Sequence, residues 1–148
     1  MIDTSLEILL VEDNPNDVEL TLHAFKKNHL SNRIHVARDG AEAVDFLFCA
    51  GAYADRAGNH CLKVVLLDLN LPKIDGLEVL RRVKSDPRTQ TLPVVMLTSS
   101  RQERDIMQSY QLGVNSYIVK PVDFEQFIEA VRQLGLYWLL LNQSCSTQ

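Results

Sequence analysis

The sequence predicts a doubly wound α/β fold: one parallel sheet of five strands with helices on both faces. Three observations predict it. The runs Ile8-Leu9-Leu10-Val11, Val64-Val65-Leu66-Leu67 and Val94-Val95-Met96-Leu97 are continuously apolar, as strands are when helices cover both sides. Longer stretches of helical period alternate with these runs, a βα repeat that demands right-handed crossovers. Short capping side chains stand three residues before Glu or Gln at Asp39, Asp75, Ser100 and Asp123, each marking a helix start.

The first strand is expected at about 6–11 and the first helix at about 15–28. Asn14-Pro15 opens that helix with a capper and then a proline, whose missing N–H costs nothing at the first helical position. The second strand and helix fall at about 33–37 and 40–49. Residues 51–60 form a connection longer than such joins usually are. Beyond it come a strand at about 63–67, a helix at 76–85, a strand at 93–97, a helix at 101–112 and a strand at 115–119.

The last helix is expected at about 124–141, where Phe124, Phe127, Ile128, Val131, Leu134, Trp138 and Leu141 keep a 3-4 spacing suited to one buried face. Leu136, Tyr137, Leu139 and Leu140 then lie on other sides. Burying one such side chain is worth about 1.5–3 kcal/mol, so four exposed together call for a cover. An isologous homodimer through this helix supplies one; the helix end folding back over its own domain is the alternative.

At 148 residues the chain is read as one domain, with its core at about 6–134 and a polar tail at 142–148. A composition 46% hydrophobic and 23% charged is that of an ordinary soluble protein. The net charge of −4 argues against a nucleic-acid partner. Cys49, Cys61 and Cys145 are odd in number and form no C-x-x-C pair, which suits free thiols in the cytoplasm. No run is long enough for a membrane span, and Met1 to Ser5 lack the regions of a signal peptide.

The chemistry gathers where strands end. Glu12-Asp13 follows the first strand, Asp68 the third, Thr98 the fourth, and Lys120 the fifth, just before Pro121. Open α/β sheets bind ligands outside the carboxyl ends of their strands. Adjacent strands lie about 4.8 Å apart, so Glu12, Asp13 and Asp68 converge if the first and third strands are neighbours. Crowded carboxylates raise each other's pKa, a conflict that a bound Mg²⁺ resolves. The alternative is that Glu12 and Asp13 merely cap a helix and Asp68 begins a turn. Asp68 is the candidate nucleophile toward a phosphoryl group, with Lys120 and the metal balancing charge and the Thr98 hydroxyl donating to a phosphoryl oxygen. Pro121 is a candidate for a cis peptide that aims Lys120 across the sheet edge.

The runs Ile8 to Asn14, Leu67-Asp68-Leu69-Asn70-Leu71-Pro72-Lys73-Ile74-Asp75-Gly76, Leu97-Thr98-Ser99-Ser100 and Tyr117-Ile118-Val119-Lys120-Pro121 carry a family resemblance. Over about 6–134 the chain closely resembles the receiver domain of two-component response regulators. The resemblance implies a flavodoxin-like fold with strand order 2-1-3-4-5. It implies phosphorylation of Asp68 by a histidine kinase, with Mg²⁺ held by Asp13, Asp68, the Asn70 carbonyl and, through water, Glu12. It places Thr98 and Ser99 on the phosphoryl group, pairs Lys120 with it, and makes Tyr117 the aromatic that moves inward as Thr98 is drawn to phosphate. Read from the residues alone, Tyr117 is equally a half-buried packing aromatic.

The stretch Asn14 to Leu20, the long connection and the apolar run Leu134 to Leu141 are similar to regulators that serve bacterial phytochromes, above all cyanobacterial ones. A phytochrome kinase is therefore the expected partner. With no segment left after the last helix for DNA binding or catalysis, output is expected as protein–protein interaction. The domain would then be no enzyme beyond assisting its own phosphotransfer and dephosphorylation.

Two other readings compete. A small Mg²⁺-dependent phosphatase of the haloacid-dehalogenase kind also uses an Asp nucleophile, but on the first strand and with a second acid two residues on, where this chain has Asn70. A flavin or nucleotide binder needs a phosphate-cradling loop after the first strand, where Glu12-Asp13-Asn14-Pro15 is acidic.

Overall fold

In a computed structural model the chain forms one five-stranded parallel sheet in the order β2-β1-β3-β4-β5. Residues 7–28, 30, 32–56, 62–99 and 108–134 are described, with the backbone alone at Thr98. The strands are β1 Glu7–Val11, β2 Arg33–Ala37, β3 Leu62–Asp68, β4 Val94–Thr98 and β5 Ser116–Val119. The helices are α1 Pro15–Lys27, α2 Gly40–Leu47, α3 Gly76–Ser85, α4, described over 108–111, and α5 Phe124–Gln133. The expected continuation of α5 to 141 lies outside the described residues, and with it Trp138 and Leu141.

Successive strand residues face opposite ways, so each apolar strand feeds two cores. Ile8, Leu10, Leu66, Val95 and Ile118 meet α1 through Val18 and Phe25 and α5 through Phe127, Ile128 and Val131. Leu9, Val11, Leu67, Val94 and Met96 meet α2 through Phe46 and Leu47 and α3 through Val79, Leu80 and Val83. This double covering is the physical reason the runs are apolar throughout rather than alternating. Phe124 and Leu134 pack partly buried on the first core, so the described part of α5 uses the face its spacing predicts.

The caps set where helices begin. Asn14 Oδ1 accepts from Asn16 N–H at 2.9 Å, and the Asp39, Asp75 and Asp123 carboxylates accept from Glu42, Glu78 and Gln126 N–H at 2.7, 2.9 and 2.8 Å. The start expected at Ser100 lies outside the described residues.

The connection after α2 opens with a 3₁₀ helix, Gly51–Arg56, and α2 itself ends at Leu47. The segment kinks at Tyr53, whose backbone (φ −109°, ψ 17°) leaves helical geometry, and Tyr53 and Arg56 dock it on the domain. Tyr53 Oη donates to Glu42 Oε2 at 2.6 Å, and the Arg56 guanidinium lies 3.5 Å over the Phe46 ring and donates to the Phe46 carbonyl at 2.6 Å. His35 stacks on that ring, centroids 4.2 Å apart. On α3, Lys84 donates to the Leu92 carbonyl at 2.8 Å and to Asn115 Oδ1 at 2.9 Å; burial lowers its pKa.

Candidate functional site

All five strands run the same way, so their carboxyl ends share one edge. Val11 pairs with Leu67, Asp68 with Leu97 and Thr98 with Val119, which brings the chemistry-bearing residues level with one another. Glu12 prolongs β1 through its N–H to the Ala37 carbonyl, 2.9 Å. Asp68 and Thr98 are the last residues of their strands rather than the first of the following turns.

Carboxylate oxygens of Glu12, Asp13 and Asp68 lie within 4.8 Å of one another, Glu12 and Asp68 buried and Asp13 exposed. The Lys120 ammonium is set against them: it pairs with Glu12, donates to Asp17 Oδ2 at 3.0 Å and stands 3.4 Å from Asp68 Oδ1. The Lys120–Pro121 peptide is cis. Behind Asp68 the chain passes very close to itself. A Cβ on Gly76 would overlap the Asp68 carbonyl, and Gly76 N–H donates to the Leu69 carbonyl at 3.0 Å. The turn after β3 is thereby fixed against the start of α3.

Burial, and after it the charge of Glu12, push the Asp68 carboxyl up to about 7, against the pull of Lys120. Burial alone would lower Lys120, but the Glu12 and Asp17 carboxylates that accept from it, with the Asp68 charge, hold it above the ordinary lysine range. One ammonium does not neutralise this many acids. An all-oxygen donor set, convergent and open to water at Asp13, fits a hard divalent cation.

Asn70 is exposed in the turn after β3, and Ser99 is exposed just after β4. The Thr98 side chain lies outside what is described. Tyr117 is half-buried against the second core while its neighbour Ile118 enters the first, so β5 presents the two to opposite faces. Leu136, Tyr137, Leu139 and Leu140 lie outside the described residues. Sequence reasoning alone misses Asp17. Its signal is local: Asn14 and Pro15 fix the start of α1, which makes Asp17 a first-turn acid beside the sheet edge.

The response regulator receiver domain family matches residues 8–132. The chain belongs to that family. Among curated relatives, the probable methanogenesis regulatory protein FilR2 of Methanothrix harundinacea is 41% identical over 137 residues, 93% of this chain and 86% of that protein. Response regulator Rcp1 of Synechocystis sp. is 38% identical over 132 residues, 89% of this chain and 88% of its own. A solved Mn²⁺-bound form of Rcp1 matches with a TM-score of 0.74 at 35% identity, covering 95% of this chain and 99% of that one. The bacteriophytochrome response regulator AtBRR matches with a TM-score of 0.83 at 56% identity, covering 94% of this chain and 99% of that one.

This receiver domain is thus related to phytochrome response regulators, and its family implies a histidine kinase as partner. The phosphatase alternative finds no support: Asp68 ends the third strand rather than the first, and an exposed Asn70 stands where a second acid would be needed. Among the described residues no helix is long and apolar enough to cross a membrane.

Proposed function

We propose that this receiver domain accepts a phosphoryl group on Asp68 from a phytochrome-type histidine kinase in the cytoplasm and passes the signal on by protein–protein contact. The observation that carries the reading is the Asp68 carboxylate at the end of β3, between the exposed Asp13 and the Lys120 ammonium. In the transfer, an Asp68 oxygen bonds to phosphorus as the P–N bond of the kinase phosphohistidine breaks, its electron pair returning to the imidazole nitrogen. Asp13, Asp68 and the Asn70 carbonyl, with Glu12 through water, would hold Mg²⁺, which when bound offsets charge on the phosphoryl oxygens.

Lys120 is within reach of the same oxygens from the β5 side. Thr98 and Ser99, at the end of β4, supply hydroxyls to the phosphoryl group. Tyr117 answers the movement of Thr98 and relays it to a groove of about 530 Å³ between β5 and α5, lined by Tyr110, Tyr117, Glu125 and Glu129 among others. The likeness to a bacteriophytochrome response regulator supports the choice of kinase. A homodimer through Leu136, Tyr137, Leu139 and Leu140 follows from the apolar end of the sequence.

The test is phosphotransfer from a panel of autophosphorylated histidine kinases carrying labelled phosphate. A phytochrome kinase should label the wild type fastest and leave Asp68→Asn unlabelled. Equal labelling of Asp68→Asn would remove Asp68 from the role, and preference for another kinase class would remove the phytochrome pairing.

A further inference from the structure

We propose that Asp17 is the standing counter-ion of Lys120, drawing its ammonium toward α1 so that a divalent cation can enter the acidic cluster. The inference rests on the receiver reading above and concerns how that same site is loaded. Lys120 already occupies the cluster: it pairs with Glu12 and stands 3.4 Å from Asp68, two of the three acids that converge. An ammonium and a divalent cation compete for the same oxygens, so a partner that holds Lys120 elsewhere favours entry of the cation. Among the described residues, Asp17 is the one carboxylate partner of Lys120 outside the convergent three.

Its position is set independently of the cluster. Asp17 lies in the first turn of α1, where its N–H donates to Asn14 Oδ1 at 3.3 Å, and acids are welcome at a helix N-terminus. The Asp17 side chain keeps 32% exposure, while Lys120 keeps only 14%. Leu20, Leu97, Pro121 and Val122 line the crevice that the pair shares. Apolar walls strengthen an attraction made over 3.0 Å.

A bare loss of negative charge near the cluster would also weaken cation binding, and the test must separate the two. Calorimetric titration with Mg²⁺ alone is made on the wild type, Asp17→Asn, Lys120→Met and the double variant. Asp17→Asn should raise the Mg²⁺ Kd about tenfold when Lys120 is present and at most about twofold in the Lys120→Met background, the non-additivity expected of a contacting pair. Asp17→Glu, which keeps the carboxylate, should restore most of the affinity. Equal losses in both backgrounds, or none in either, would overturn the inference while leaving the receiver reading standing. A wild type that binds no Mg²⁺ would overturn both.

Discussion

In the proposed transfer the Asp68 carboxylate must be ionised to attack phosphorus, yet it is held out of water and beside the charge of Glu12. The folded protein therefore binds the Asp68 proton more tightly than the unfolded chain, whose carboxyl titrates near 3.8, and stability through this residue falls as pH rises from there to about 7. Asp68→Asn should be more stable than the wild type by about 1–2 kcal/mol near pH 8 without divalent cation, with the gap closing toward about pH 4. Urea unfolding at both pH values checks this; a loss of more than about 2 kcal/mol would contradict the crowded-acid account. Lys120 does not disturb that window. Its raised pKa gives stability that is complete below the ordinary lysine value of 10.5 and lost only as pH climbs through the raised one.

Lys120→Ala should still take phosphate from a small donor but leave the Tyr117 ring unmoved. A normal shift of Tyr117 ring resonances on adding beryllofluoride and Mg²⁺ would sink the role given to Lys120. At this scale Glu12, Asp13, Asp68 and Lys120 were legible because strand ends in a parallel sheet share one edge. Asp17 was not, because its partner Lys120 is 103 residues away and only the packed helix brings them together.

Elements whose boundaries are local chemistry were the legible ones. The Asp39, Asp75 and Asp123 caps and the Asn14-Pro15 start fall where side-chain acceptors meet free N–H groups a few residues on. The 3₁₀ helix Gly51–Arg56 was not legible, since it exists through contacts with α2, β1 and β2 rather than through its own period. The Glu42 hydrogen bond, with burial, pushes the Tyr53 hydroxyl up to about 12, and Tyr53→Phe should cost about 1 kcal/mol in chemical unfolding. An unchanged midpoint would mean the segment is docked by Arg56 and ring packing alone. Gly76→Ala is the harsher change. Its new Cβ meets the backbone of Asp68 and Leu69, which cannot rotate away, so a loss of about 2 kcal/mol or more is expected, with slower phosphorylation as the turn behind Asp68 shifts. A variant as stable as the wild type would show that α3 can retreat without cost.

For the whole molecule, the two cores lock the sheet and leave its carboxyl edge as the place where chemistry can occur. What the molecule does with its signal was written less plainly, because the apolar end of the sequence calls for a cover without saying what supplies it. Sedimentation should show a dimer at micromolar concentration that Leu136→Glu with Leu140→Glu converts to monomer; a wild type monomeric throughout, with or without phosphate, would argue for the folded-back alternative. Intact mass measurement after incubation with acetyl phosphate and Mg²⁺ decides whether Asp68 takes up phosphate: the wild type should gain the mass of one phosphoryl group, labile to hydroxylamine, and Asp68→Asn should gain none. A wild type that stays unmodified, or an Asp68→Asn variant modified to the same extent, would contradict the account.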